Sequence, residues 1–332
     1  MLYRSDHFEL RVPSELDKAT WVSSREGETR IGQEVHFCTE NDESWKNRRF
    51  HVLGICEDLG PRANGGFGGS DKAFAAFIQR FMAVQSNRFL KGDDIAIHGT
   101  IVPSAVQSMR SLHELVSELD TFVTQWAEEV ITGGGIPIVI GGGHNNAYGL
   151  IRGASLAVAR AVAVINLDPH ADTRELEGRH SGNPFSYAWE HGFMKSYTVL
   201  GLHQSYNNEA ILQRLDAMKA DCTFFEEWID EHSYHEAILQ RRSLLSEETT
   251  GIELDLDSIQ FMPSSAFTPS GITVEQARFY VRQMASLKQA CYLHLPEGAP
   301  QNEREEAVVG KTLVYLVTDF IKCKITPLED RY

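Results

Sequence analysis

Eight short runs rich in β-branched and other apolar residues recur along the chain: FHVLGIC (50–56), IAIHGTI (95–101), IPIVIGG (136–142), AVAVINLD (161–168), YTVLGL (197–202), DCTFF (221–225), TGIELDL (250–256) and ACYLHLP (290–296). Most lack strict apolar/polar alternation, as expected of strands covered on both faces. Between many of them lie stretches with apolar residues three and four apart, including DKAFAAFIQRFM (71–82), SLHELVSELDTFVTQWAEEVI (111–131) and TVEQARFYVRQMASLKQA (273–290). That spacing predicts amphipathic helices. Strands and helices in alternation predict an α/β fold, a mostly parallel sheet with helices on both faces. A chain of 332 residues can be two average domains or one large α/β domain. With no internal repeat, low-complexity tract or linker in view, it reads as one domain, 1–332. The more polar, less regular stretch 1–47 reads as an N-terminal extension laid across the core.

Ligands of open α/β sheets collect at the carboxyl ends of the strands, where the loops splay apart. Three strand ends carry concentrated polar chemistry: VIGGGHNNAYG with His144, INLDPHADTR with Asp168, His170 and Asp172, and GIELDLDSI with Asp255 and Asp257. In D-x-H-x-D and D-x-D an extended backbone sends alternate side chains to one side, so each set can converge. Taken singly, each residue has an ordinary explanation, such as a helix N-cap or a satisfied core histidine. Six of them at three strand ends in matching periodicity do not. Four carboxylates at one sheet edge repel one another and lose hydration unless a cation compensates. A pair of divalent metals supplies that charge, and a thiolate-free set of imidazoles and carboxylates suits Mn²⁺ better than Zn²⁺, Fe²⁺ or Co²⁺. The glycines of GGGHNNAYG fit neither a phosphate loop nor a dinucleotide fingerprint, and they predict close backbone approach beside His144.

Composition narrows the partners. The chain has 46 acidic and 31 basic side chains, a formal charge of −15, which disfavours nucleic acid and fits a small-molecule substrate. No segment has the apolar length to cross a bilayer, and the first residues lack the apolar region of a secretory signal, so a cytoplasmic location is expected. The five cysteines are scattered without a C-x-x-C pair, which predicts reduced packing residues.

The G-G-x-H, D-x-H-x-D and D-x-D segments, in this order and spacing, resemble the ureohydrolase family of arginases, agmatinases and formimidoylglutamases, from about residue 48 to about residue 325. The resemblance implies a three-layer α/β/α fold on an eight-stranded, mostly parallel sheet, and a homo-oligomer. It implies two manganese ions per chain, one held by His144, Asp168, Asp172 and Asp255, the other by Asp168, His170, Asp255 and Asp257. RHSGNPFSYA (179–188) resembles the loop that binds the amino-acid end of the substrate, implying roles for Ser181 and Asn183. HLPEGAP (294–300) resembles the segment whose glutamate faces the substrate's cationic head, implying that role for Glu297. Asp172, if placed as in the family, passes a proton to the departing nitrogen.

Where arginases carry a proton-shuttling histidine after that loop, this chain has Phe185, which argues against arginase activity. EDLGPRANGG, GGGHNNAYG, DPHADTR and RHSGNPFSYA together resemble the formimidoylglutamase branch. N-formimidoyl-L-glutamate bears an amidine-like head and two carboxylates, so Arg174, two residues past Asp172, is a candidate to clamp a carboxylate, with Arg62 second. The expected reaction yields L-glutamate and formamide, as in histidine degradation. The alternatives are urea release from arginine, agmatine or guanidinobutyrate, and a non-catalytic binding protein on the same fold.

Overall fold

All eight apolar runs form strands in the computed structural model, which describes residues 5–40, 43–104, 110–230 and 233–326. The strands are β1 (Phe8–Arg11), β2 (His36–Phe37), β3 (Phe50–Ile55), β4 (Ile95–Pro103), β5 (Ile136–Ile140), β6 (Val162–Leu167), β7 (Met194–Leu202), β8 (Asp221–Phe224), β9 (Thr250–Leu254) and β10 (Ala290–Leu295). They make one sheet in the order β1-β4-β3-β5-β10-β9-β6-β7-β8, with β2 also pairing with β4. The eight expected strands are parallel; β1 and β2, both from the N-terminal stretch, raise the total to ten, and only β1 runs antiparallel, against Thr100–Pro103. β1 escapes an apolar reading because it is an edge strand with a single buried residue, Phe8. β2 is only two residues long.

Successive residues of a strand enter opposite cores, which is why the central runs are apolar without alternation. Val52, Ile165, Ile252 and Leu293 pack beneath the helices Ala73–Met82, Val274–Ala285 and Glu303–Ile325. Leu53, Val164, Val139 and Tyr292 pack beneath the helices Leu112–Thr132 and Asn146–Ala157. The result is three layers. The helix expected over 273–290 begins on its Thr273 cap but ends at Ala285, because the chain turns there, with Ser286 Oγ donating to the Gln283 carbonyl and Leu287 buried, to enter β10.

For function, the decisive feature is the order β5-β10-β9-β6 at the centre. These neighbours come from distant parts of the chain, yet their carboxyl ends lie side by side, at strand spacings of about 4.8 Å. The loops that follow them carry His144, Glu297, Asp255 with Asp257, and Asp168 with His170 and Asp172. Among the described residues, no helix is long and apolar enough to cross a membrane.

Candidate metal centre

After β5 the chain turns on Gly141 and Gly142, both left-handed, at φ 84° and 70°. A Cβ at Gly142 would sit 2.6 Å from the Asn146 amide nitrogen and 3.0 Å from Glu57 Oε1. The close approach lets buried Glu57, at the end of β3, gather this loop. Its Oε1 accepts from Gly143 N–H at 3.0 Å and from the side-chain amides of Asn145 and Asn146 at 3.2 and 2.7 Å, while Oε2 accepts from Leu59 N–H at 2.6 Å. His144 is fixed between them, its own N–H donating to Glu297 Oε1 at 2.7 Å.

The two acidic segments use one local device. His170 N–H donates to Asp168 Oδ1, and Asp257 N–H to Asp255 Oδ1, each at 2.7 Å. One oxygen of each carboxylate is thus tied to its own turn, leaving the other to point outward. Asn166, two residues before Asp168 on the same strand face, donates to Asp168 Oδ2 at 3.0 Å, and Asn207 braces the 169–171 backbone through Ala171 N–H and the Pro169 carbonyl. Asp172 and Glu297 both adopt left-handed backbone, φ 48° and 68°. Such geometry is strained for side-chain-bearing residues and is concentrated at functional sites.

These elements bring the first expected ligand set together. His144 Nδ1 lies 3.0 Å from each of Asp168 Oδ2, Asp172 Oδ2 and Asp255 Oδ2. The four donor atoms all fall within 4.8 Å of one another. His170 Nδ1 lies 3.5 Å from Asp168 Oδ1 and 4.0 Å from Asp257 Oδ2, beside the first set and sharing Asp168 with it. Buried His144 Nδ1 makes no hydrogen bond despite three oxygens around it. One N–H cannot satisfy three acceptors, but a cation can, and metal–oxygen distances of about 2.1 Å in an octahedron put adjacent donors about 3.0 Å apart. The donor set therefore fits a divalent ion of the Mn²⁺ type.

Ionisation of the cluster points the same way. Burial, then neighbouring carboxylates, push Asp172 and Asp255 above the usual carboxylate range, Asp255 furthest, and burial raises Asp257 against the pull of His170. Burial would raise Asp168 too, but the imidazoles of His144 and His170 beside it outweigh that and hold it low. The imidazoles lose to burial but gain more from the carboxylates: His144 rises well above its ordinary value and His170 to about 10. Protons are retained where positive charge is needed.

Above the cluster opens a cavity of about 320 Å³ whose lining includes His170, Asp172, Asp255, Asp257, Glu297, Arg174 and Ser181. Glu297 is buried, its Oε2 has no hydrogen-bond partner, and burial, then Asp257, pushes its carboxyl up to about 8. Arg174 is half exposed on the rim, held by Asn64 Oδ1 at 3.0 Å and Glu177 Oε1 at 3.3 Å. Ser181 accepts from the Asn64 amide at 3.4 Å. Asn183 does not reach the cavity: it is fully buried, accepts from His180 N–H and Arg179, and donates to the carbonyls of Glu175 and Gly178, so it shapes the loop that carries Ser181. Arg62 pairs with Asp58 outside the cavity lining. Phe185 lies in the core, edge-on to the His144 ring at 5.2 Å and stacked on Tyr197 at 4.5 Å.

Sequence reasoning missed Glu57, Asn166, Asn207 and Arg179. The last is buried between Tyr148 and Tyr187, with ring centroids 4.9 and 4.8 Å away, and bonds Asp120 at 2.8 Å, anchoring the Ser181 loop. Asn166 was marked by its polarity inside an apolar strand; Glu57, Asn207 and Arg179 lie in polar loops where nothing sets them apart.

Comparisons with known proteins converge on one group. A formimidoylglutamase of Chromobacterium violaceum is 35% identical over 98 residues, a match covering 28% of this chain and 32% of that protein, so this match spans about a third of its relative's length. The formimidoylglutamase of Streptococcus pyogenes is 26% identical over 291 residues, 82% of this chain and 85% of that protein. Among solved structures, a Trypanosoma cruzi formiminoglutamase with Mn²⁺ shares the fold with a TM-score of 0.73 at 21% identity, over 88% of this chain and 98% of that one. The arginase family model matches residues 66–319, a span that holds all six clustered imidazoles and carboxylates, Glu297, Arg174 and Ser181. The chain belongs to the arginase family.

Proposed function

We propose that this protein is a binuclear-manganese hydrolase that cleaves the C–N bond of a linear amidine, N-formimidoyl-L-glutamate, to L-glutamate and formamide. The observation that carries the reading is the charge layout of one cavity, acidic at its floor with one unpartnered buried carboxylate oxygen, Glu297 Oε2, and cationic at its rim with Arg174. An amidinium head and a carboxylate tail complement those two ends. Agmatine has no carboxylate for Arg174, and the arginase-type histidine is absent at Phe185. Formimidoylglutamases among its relatives support the assignment.

In this reading His144, Asp168, Asp172 and Asp255 hold one ion, and Asp168, His170, Asp255 and Asp257 the other. When bound, such a pair supplies a water that ionises near neutral pH and draws charge from the developing oxyanion. The rest is the work of side chains. Glu297 Oε2, already desolvated, forms a charge-assisted bond with the planar head, and its Oε1 is anchored by His144 N–H so that the head is held over the cluster. Arg174 takes a substrate carboxylate in its guanidinium fork, and Ser181, linked to it through Asn64, adds a hydroxyl beside it. Asp172, with part of its carboxylate toward the cavity, accepts the proton released by the water and returns it to the departing nitrogen.

The test is formamide and glutamate release by Mn²⁺-loaded protein from N-formimidoyl-L-glutamate, run beside arginine, agmatine and guanidinobutyrate with urea as readout. Formamide release with no urea is expected. Urea from any of the three at higher kcat/KM would overturn the substrate assignment.

A further inference from the structure

Directly below the cluster, a row of polar side chains crosses three neighbouring strands: Asn166 on β6 is paired in register with Glu253 on β9, and Glu253 with His294 on β10. All three are fully buried, on the sheet face covered by helix Asn146–Ala157. A glutamate and a histidine in the middle of buried strands are costly unless each is bonded. Glu253 is bonded twice: Tyr292 OH donates to its Oε1 at 2.8 Å, and His294 Nδ1 meets its Oε2 at 2.6 Å. Room for the tyrosine comes from Gly251, where a Cβ would lie 2.3 Å from the Tyr292 hydroxyl. The carboxylate so held faces His144 Nε2, with Oε2 3.6 Å away.

That last distance matters because of what His144 does on its other side. Its Nδ1 faces three carboxylate oxygens at 3.0 Å and can present a lone pair to a cation there only if the ring proton is on Nε2. Nε2 is buried, with no hydrogen bond in the present geometry, and the acceptor it faces is Glu253 Oε2 at 3.6 Å. Carboxylates behind metal-binding imidazoles commonly fix tautomer and ring orientation. Here the carboxylate would itself be fixed, by two groups on the next strand.

We propose that Glu253, braced by Tyr292 and His294, is a positioning residue that keeps the His144 proton on Nε2 and so sets the affinity of the ion bound at His144 Nδ1. This rests on the metal-centre part of the proposed function but not on its substrate. The sequence places the device in two short patterns, Gly251-x-Glu253-x-Asp255 and Tyr292-x-His294, each with its functional side chains two residues apart on one face.

The experiment is metal binding by the full chain, read by chelator competition with Mn²⁺ and with diamagnetic Zn²⁺, together with a long-range ¹H–¹⁵N spectrum of histidine-labelled, Zn²⁺-loaded protein. The Glu253→Gln variant should bind the His144-side ion about 10- to 100-fold more weakly while the other ion changes little. Its spectrum should lose the single Nε2–H pattern of His144. Tyr292→Phe, which keeps the ring and removes one bond to Glu253, should give a smaller loss of the same kind and serves if Glu253→Gln fails to fold. Affinities within twofold of wild type in the folded variant, or an unchanged His144 pattern, would overturn the proposal. Wild-type protein holding fewer than two ions would instead strike the metal-centre reading, and failure to release formamide would strike the substrate alone.

Discussion

Far from the cavity, His98 and His51 form a buried relay whose proton positions follow from its ends. Trp126 Nε1 can only donate, so His98 Nδ1, 3.2 Å away, accepts; His98 Nε2 then donates to His51 Nδ1 at 2.9 Å, and His51 Nε2 donates to the Arg48 carbonyl at 2.9 Å. Both rings are neutral, and a proton added to either breaks the chain of bonds. Burial pushes His51 down to about 4 from 6.5, and burial, then the neighbouring imidazole, pushes His98 well below 6.5. The unfolded chain therefore binds more protons than the folded one below the unfolded value. Stability that is complete at neutral pH is lost as pH falls from about 6.5 toward about 4. At about pH 5 the unfolded rings sit 1.5 units below their midpoint, which costs about 2 kcal/mol per ring, about 4 kcal/mol for the pair.

The metal-site histidines act with the opposite sign. With their folded values raised, in chelated protein they add stability as pH falls toward the unfolded value, so the raw curve mixes two effects. A double variant, His51→Leu with His98→Leu, isolates the relay, because the bond lost at Trp126 weakens it equally at every pH. Urea unfolding of chelated protein should have wild type losing about 4 kcal/mol more than the variant between about pH 7.5 and 5. Parallel curves for the two proteins would refute the neutral relay.

Three further outcomes are expected. Glu297→Gln keeps the bond from His144 N–H but can no longer ionise against the bound amidinium, so kcat/KM for the amidine should fall about 10- to 100-fold while the thermal midpoint holds or rises; a matching loss of stability would contradict the assigned role. Arg174→Gln should raise KM about tenfold with kcat nearly constant and stability unchanged, since its ion pair with Glu177 is exposed, and an unaltered KM would remove it from the substrate site. Phe185→His buries an imidazole where Phe185 packs on His144 and Tyr197, which should cost about 1–3 kcal/mol in urea unfolding and give no urea from arginine; urea release would mean that position faces the cavity after all.

The central strands were legible because both their faces are buried, so their composition alone marks them. β1 was not, because an edge strand with one buried residue is specified by its partner, Thr100–Pro103, more than by its own pattern. The six clustered donors were legible because Asp168, His170 and Asp172, and Asp255 with Asp257, repeat with the period of an extended chain past strand ends. Glu253, Asn166 and His294 were hidden, although they sit on the same face two residues behind donors or beside them. Asn166 and Glu253 extend the same two-residue period back into their strands, but inside an apolar run that extension reads as chance until the neighbouring strands show what the side chains meet. Asn183 illustrates the converse: its motif was visible, but its hydrogen bonds all turn inward to the loop.

The position of β10 between β5 and β9 has a consequence for how the protein matures. A ribosome that has passed residue 257 has already made every proposed ion-binding side chain, yet His144 and the two later aspartates belong to strands that are not neighbours until residues 290–295 slot between them. Capture of the His144-side ion should thus be a late event in biogenesis, coincident with insertion of the final strand, and a chain truncated before residue 290 should carry all six donors yet lack that ion, while β6 and β9, already paired, keep the donors of the other together.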